Sequence, residues 1–241
     1  KSRSSNASKE GDVKYALVGL ADAAVKESLD RILSALSNAG FAKPRTHVTI
    51  NLAPGDLRKE GVAFDLPIAL GILAATGQLK SEILQDYLVA GELALSGQTR
   101  PVRGGLSMTM LAAEQNIKGV ILPIESAEEA CLVESSKVYA VGSLAEAIRF
   151  LSGQMELVPL DASQSPYLKE PRGDEAVDFS EVKGQANLRR AVEVAVAGGH
   201  NILMMGPPGS GKSMVSKRIP TILPAPSKTE YLEILGVHSA A

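Results

Sequence analysis

One eight-residue stretch restricts the fold of this chain more than any other. Residues 206–213 read GPPGSGKS, which satisfies the phosphate-loop pattern of Gly, any four residues, Gly, Lys and Ser. The apolar run HNILMM at 200–205 directly precedes the motif and predicts a strand, and a helix is predicted to follow it. A glycine-rich turn that binds nothing is the alternative, but the motif stands in the strand–loop–helix context that phosphate binding requires. The sequence therefore predicts an α/β unit with a phosphate-binding loop.

Each residue type in the motif has a chemical reason. Glycines let the backbone turn its N–H groups around phosphates, the ammonium of Lys212 suits the β- and γ-phosphates, and the Ser213 hydroxyl is a candidate ligand of Mg²⁺. The predicted cofactors are therefore ATP and Mg²⁺. The candidate binding residues are Gly206, Pro207, Pro208, Gly209, Ser210, Gly211, Lys212 and Ser213.

Hydrolysis of the nucleotide requires more than this loop. A second strand that ends in an acidic residue must complete the Mg²⁺ site, and an arginine usually comes from a neighbouring subunit. Residues 214–241 show neither, and Pro220, Pro224 and Pro226 interrupt their pattern. We expect the chain to end inside its nucleotide-hydrolysing domain. It should therefore bind nucleotide weakly and not hydrolyse it.

Composition restricts the partners and the compartment. The 241 residues carry a formal net charge of −2, so the chain as a whole has no attraction for nucleic acid or anionic membranes. No apolar run reaches the length of a membrane span, and we expect no membrane partner. The lone Cys131 excludes an internal disulfide and suits a reducing cytosol. We expect a cytoplasmic protein.

Strands and helices alternate over residues 13–153, which predicts an α/β or α+β domain. The run LPIALGILAATG at 66–77 is apolar on every side and predicts a central buried helix. Pro, Ser, Asp and Glu dominate 154–177, which is the predicted linker, and a second domain is predicted over 178–241. In the first domain, strands are predicted at 13–20, 47–53, 119–123 and 137–141, with two more inside 87–102, and helices at 22–38, 66–77, 105–116, 126–135 and 143–153.

Several long motifs carry a resemblance to known families. DFSEVKGQ (178–185), GGHNILMMGPPGSGKS (198–213) and ILPAPS (222–227) resemble the magnesium-chelatase-like branch of the AAA+ ATPases. Upstream, the chain is similar to the amino-terminal domain of the ComM (YifB) family in three stretches. These are GLADAAVKES (19–28), INLAPGDLRKEGVAFDLPIALGILAATGQL (50–79) and GELALSGQTRPVRGGL (91–106), with Ala21 where the family usually has Pro.

The resemblance implies a bacterial, cytoplasmic, ATP-driven protein that assembles with itself into hexameric rings. Some members move branched DNA during transformation, so DNA is the implied partner of the whole protein, and other relatives insert Mg²⁺ into protoporphyrin. It also implies that the segment around Val182 and Gly184 contacts adenine. The implied fold is a Lon-protease-like (ribosomal-protein-type α+β) amino-terminal domain followed by the first part of a phosphate-loop AAA+ domain.

The resemblance to Lon raises the question of peptidase activity, which there depends on a Ser nucleophile and a Lys base. The matching positions here hold Ala69 and Thr109, which can supply neither group. Substitutes such as Ser107 with Lys59, or Asp65, have simpler interpretations as a residue of a first helical turn, a solvated loop residue and a helix cap. We expect no peptidase activity.

Three alternatives to a DNA-acting motor remain open. They are a magnesium-chelatase subunit, an ATP-dependent peptidase, and a non-enzymatic interaction module confined to the front domain.

Overall fold

The computed structural model describes residues 15–20, 23–44, 46–57, 59, 61–168 and 177–240. The chain divides into two compact units, one of residues 1–169 with 232–241 and one of residues 170–231. One of its two boundaries, between residues 169 and 170, falls inside the predicted linker, while the predicted domain bounds 13–153 and 178–241 stay a prediction. No helix in the described ranges has the length and apolarity to cross a bilayer.

The first unit alternates strands and helices, as the sequence predicts. Its strands are β1 Tyr15–Val18, β2 Val48–Asn51, β3 Tyr87–Val89, β4 Glu92–Leu93, β5 Thr99–Arg100, β6 Gly119–Pro123 and β7 Val138–Val141. Its helices are α1 Ala23–Asn38, α2 Asp65–Ala75, α3 Gly105–Glu114, α4 Ile124–Ala130 and α5 Leu144–Leu151. The prediction of a mixed α/β domain is confirmed in this unit; a Lon-like fold stays a prediction.

Two of its sheets are parallel. β3, β6 and β7 form one sheet in that spatial order, with β6 in the centre, and β1 pairs with β2 in another. All five residues of β6 are buried, as expected for a parallel strand covered on both faces. Helices connect the parallel strands because such strands need a long crossover. Residues 87–102 hold three strands where two were predicted, and the short β4–β5 pair is antiparallel and turns at Gly97.

Helix α2 lies in the main core of this unit. Six of its apolar side chains are buried and belong to the same cluster, namely Leu66, Ile68, Ala69, Leu70, Ile72 and Leu73. The prediction of a central buried helix is thus confirmed. Gly71 and Ala75 are exposed, so one narrow side of α2 is less covered than the sequence indicates.

Asp65 has a different role from the predicted helix cap. Phe64 holds the cap position, and Asp65 is the first helical residue, with a fully buried carboxylate. Arg31 Nε and Nη2 donate to its two oxygens at 3.0 and 3.2 Å, and the N–H of Leu93 donates to Oδ2 at 3.2 Å. Asp65 therefore ties α1 and β4 to the start of α2, which corrects the cap interpretation.

The first part of the predicted linker packs on the first unit. The N–H of Leu160 donates to the carbonyl of Val138 in β7 at 2.8 Å. The Ser165 hydroxyl donates to the carbonyl of Glu128 in α4 at 2.6 Å, and Ala162 is buried. Residues 169–176 lie outside the described residues.

The second unit is built around two helices, α6 Ala186–Ala197 and α7 Lys212–Arg218. Single 3-10 turns, Phe179–Glu181 and Ile219–Ile222, precede α6 and follow α7. The position of α7, directly after the loop, agrees with the sequence prediction. A last helix, α8 Lys228–Ala240, was not predicted; its residues from 232 onward are grouped with the first unit.

The strand predicted at 200–205 is wrong in this structure. All of these residues are described, and none is in a strand. A strand needs a hydrogen-bonded partner, and the described residues of the second unit, 177–231, include no other strand to pair with it. Leu203 and Met205 are consequently 82% and 86% exposed.

Candidate nucleotide-binding site

The loop at 206–211 has the backbone conformation for which its glycines are suited. Gly209 and Gly211 have φ values of +80° and +85°, in the left-handed region where a Cβ would be strained. A side chain on Gly206 would meet Ser210 Oγ at 3.1 Å. The loop then ends at Gly211, which is the residue before the first turn of α7.

Lys212 directs its ammonium back into this loop. Nζ donates to the carbonyl oxygens of Gly206 and Pro207 at 2.8 and 2.9 Å and to Ser210 Oγ at 3.1 Å. These three acceptors use every N–H of the ammonium. The positive charge is therefore held at the centre of the loop, where the motif requires it.

Ser213 is the second residue of α7 and is exposed. Its position next to Lys212 follows directly from the motif. The described residues hold no group of three or more His, Cys, Asp or Glu side chains arranged for a metal ion. Any Mg²⁺ at this loop would therefore depend on Ser213, on bound phosphates and on water, which is a ligand set that Mg²⁺ accepts.

The segment 178–184 is fastened beside α7 by polar contacts. Arg218, the last residue of α7, donates through Nε to Glu181 Oε2 at 2.9 Å. The N–H of Phe179 donates to Thr221 Oγ1 at 3.1 Å. Ser180 lowers the pKa of Asp178 through two hydrogen bonds, of which the one from its side chain has the larger effect. The second comes from the Ser180 backbone N–H, which donates to the Asp178 carboxylate at 2.6 Å. The start of the segment is therefore held in one place.

A small apolar core completes this attachment. Its buried members are Phe179, Val182, Val192 and Val215, which come from the 178–184 segment, α6 and α7. The side chain of Val182 is fully buried there, so only its backbone can face a ligand. Gly184 is exposed and has φ +68°, which suits a chain that turns sharply before α6.

Gln185 belongs to the same site, although the sequence analysis did not select it. Its Nε2 donates to the carbonyl of Ser210 in the loop at 3.3 Å. Together with the predicted residues, it brings the 182–185 segment and the 206–213 loop side by side. The signal was present in the sequence, because Gln185 closes the DFSEVKGQ motif.

The positions considered for peptidase chemistry lie in the first unit. Ala69 and Thr109 are fully buried, and the Thr109 hydroxyl donates to the Gly105 carbonyl one turn earlier at 2.9 Å. Ser107 is exposed on the first turn of α3, as its structural interpretation predicts. Lys59 was expected on a solvated loop, but it is only 7% exposed, and its ammonium donates to the carbonyls of Pro54 and Leu57. That interpretation is wrong, since the ammonium holds the loop together.

Two family profiles match the chain. One, described as subunit ChlI of Mg-chelatase, matches residues 5–126. The other, described as magnesium chelatase, subunit ChlI, matches residues 178–241 and so includes the loop. The two matches fall in the two parts of the chain that the sequence analysis separated.

Individual relatives match over nearly the whole chain. It is 41% identical over 233 residues to the competence protein ComM of Haemophilus influenzae, across 95% of this chain and 45% of that protein. It is 39% identical over 224 residues to the uncharacterized protein YifB of Salmonella typhimurium, across 92% of this chain and 43% of that protein. The chain thus spans less than half the length of these relatives.

Proposed function

Because the chain belongs to the magnesium-chelatase-like ComM/YifB family, we propose that the 206–213 loop and the 182–184 segment bind ATP together with Mg²⁺. The observation that carries the proposal is the position of the Lys212 ammonium, held by Gly206, Pro207 and Ser210 inside the glycine loop. Lys59 also donates to loop carbonyls, but only the Lys212 loop has the phosphate-loop pattern, with Gly209 and Gly211 at positive φ directly before a helix.

In this proposal the loop binds phosphate by an exchange of partners. The backbone N–H groups of 206–211 donate to phosphate oxygens, and Lys212 replaces its bonds to the loop carbonyls by bonds to the β- and γ-phosphates. The new bonds join opposite charges, so they are stronger than those that they replace. Ser213 provides the protein ligand of Mg²⁺, and the ion neutralises phosphate charge when it is bound.

The base of the nucleotide lies in this proposal against the 182–184 segment. The buried Val182 side chain keeps the segment in place, while its backbone and that of Gly184 line the site. The contact between Glu181 and Arg218 fixes the distance between this segment and α7. The base end and the phosphate end are thereby held in one orientation.

Hydrolysis is assigned to the whole protein and not to this chain alone. Residues 214–240, all of which are described, form helices and turns and include no strand that could end in a catalytic carboxylate. We infer that the whole protein is a cytoplasmic ATPase that assembles into hexameric rings and moves branched DNA. The name of the Haemophilus influenzae relative as a competence protein supports a role in DNA processing.

A magnesium-chelatase subunit is the second candidate. It is favoured by one observation, since both matching profiles are described as chelatase subunit ChlI. Such a subunit would use ATP to support Mg²⁺ insertion into protoporphyrin, and DNA would have no effect on it.

The two candidates predict different stimulation of ATP hydrolysis. We expect the whole protein to hydrolyse ATP faster when branched DNA is added, and protoporphyrin with Mg²⁺ to leave the rate unchanged. Lys212→Ala should abolish hydrolysis, since the lysine contacts the transferred phosphoryl group, whereas Lys217→Ala on the exposed side of α7 should retain it. Stimulation by protoporphyrin and not by DNA would favour the chelatase candidate.

A further inference from the structure

Gln185 has a backbone conformation that residues with a side chain seldom adopt. Its φ and ψ are +50° and +48°, in the left-handed region, and Asn116 is the other non-glycine residue with positive φ in the described ranges. For a residue with a Cβ this conformation costs about 1 kcal/mol, and such positions concentrate at functional sites. The fold therefore keeps a glutamine where a glycine would fit more easily.

Helix capping does not explain the glutamine. Gln185 is the N-cap residue of α6, a position that favours Ser, Thr, Asp or Asn, and its side chain makes no capping hydrogen bond. Its amide points instead to the phosphate loop. Nε2 donates to the Ser210 carbonyl at 3.3 Å and lies 3.7 Å from the place that a Cβ on Gly211 would occupy.

This contact fixes the orientation of one peptide group in the loop. In a trans peptide the C=O and the following N–H point to opposite sides. When Gln185 holds the Ser210 carbonyl on its own side, the N–H of Gly211 is turned to the other side. Phosphate binding depends on the direction of such N–H groups, because a concave set of them forms the anion site.

We propose that Gln185 is a positioning residue, which sets the Ser210–Gly211 peptide for phosphate binding and couples the 182–184 segment to the loop. The inference rests on the proposed nucleotide site and adds a residue to it. It assigns the side chain to the phosphate end of the nucleotide and not to the base.

The test compares two variants of the 241-residue chain with two ligands. Gln185→Gly and Gln185→Asn both fit the left-handed backbone, and neither can reach the Ser210 carbonyl. We expect each variant to bind ADP about threefold to tenfold more weakly, which corresponds to one lost hydrogen bond. Adenosine, titrated by ligand-observed NMR, should bind with unchanged affinity, since it carries no phosphate.

Two control variants separate the possible outcomes. Asn187→Gly also places glycine at the start of α6, at an exposed position, and should leave ADP affinity unchanged. Lys212→Ala tests the nucleotide site itself. If Lys212→Ala binds ADP like the unaltered chain, the proposed function fails.

If Lys212→Ala weakens ADP binding while both Gln185 variants bind it normally, only the present inference is overturned. An equal loss for adenosine and ADP in the Gln185 variants would also overturn it, since the side chain would then act at the base. A thermal unfolding curve for each variant without ligand shows that the two units remain folded.

Discussion

At the scale of single residues, Asp65 is a buried carboxylate of the first unit that depends on hydrogen bonds from two partners. Its carboxylate is fully buried, and desolvation raises its pKa, while hydrogen bonds from Arg31 and from the N–H of Leu93 act in the opposite direction. Burial of an ionised carboxylate is tolerated only when its oxygens are paired in this way. Arg31 is thus required to keep Asp65 charged inside the fold.

We predict that Arg31→Ala lowers the free energy of unfolding by about 3 kcal/mol near neutral pH, because a buried charge loses its partner. Without the guanidinium the folded-state pKa of Asp65 rises further above its unfolded value. Protonated Asp65 then favours the folded state at acid pH. This contribution to the free energy of unfolding is lost as the pH rises through the folded-state pKa. Urea unfolding should therefore show a smaller loss at about pH 5 than at about pH 7.

Arg100→Ala is the matched control for this prediction. Arg100 also pairs with a carboxylate, that of Glu92 at 3.7 Å, but its side chain is 63% exposed. Such surface pairs contribute about 0–1 kcal/mol, so this variant should stay close to the unaltered chain at both pH values. A loss for Arg31→Ala that grows as the pH falls would contradict the account of Asp65.

At the scale of elements, two glycines of the first unit have opposite environments. Gly71 lies inside α2, and a Cβ built on it would meet nothing within 4 Å. A Cβ on Gly119, at the start of β6, would come 2.7 Å from the ring of Tyr139 and 3.0 Å from the Lys137 carbonyl. Gly71 therefore weakens a helix without a packing reason, whereas Gly119 allows β6 and β7 to approach.

We predict that Gly71→Ala raises the free energy of unfolding by about 0.5–1 kcal/mol, since alanine favours the helix. Gly119→Ala should lower it by about 1–3 kcal/mol through overpacking against the Tyr139 ring. Chemical denaturation of both variants, followed by circular dichroism, tests the pair. Equal destabilisation by the two alanines would show that the surroundings of α2 are wrongly described.

Elements with dense apolar patterns could be predicted from the sequence. Helix α2 and strand β6 are nearly continuous apolar runs, and burial is the dominant force on them. Helix α8 was missed, although Ser227 and Glu230 form a capping box, each accepting the other's backbone N–H at 3.3 and 2.8 Å. Pro220, Pro224 and Pro226 precede this capping box and favour irregular structure, which obscures the helix in the sequence pattern.

Other features depended on contacts that are distant in sequence. The run 200–205 has the apolar character of a strand, but pairing decides whether a strand forms. The partner of Asp65 is Arg31, 34 residues away, and that of Gln185 is Ser210, 25 residues away. The motif identified the loop residues because their spacing is local, and it could not show which side chain supports them from outside.

At the scale of the whole molecule, the two units have different relations to function. The second unit carries the phosphate loop and the segment that supports it. The first unit has buried Ala69 and Thr109 at the positions matched to the Lon dyad, and absence of peptidase activity stays a prediction for it. The chain covers 45% of the Haemophilus influenzae relative, so ring assembly and DNA movement are proposals for the whole protein.

The central claim, a nucleotide site built on Lys212, is tested most directly by calorimetric titration of the 241-residue chain with ATP and Mg²⁺. We predict binding that Lys212→Ala weakens by about tenfold to a hundredfold, the loss of charge-assisted bonds worth about 1.5–3 kcal/mol. Lys217→Ala removes the same charge from the same helix and should bind like the unaltered chain. Equal affinity of the Lys212→Ala variant and the unaltered chain for ATP would show that the loop is not the nucleotide site.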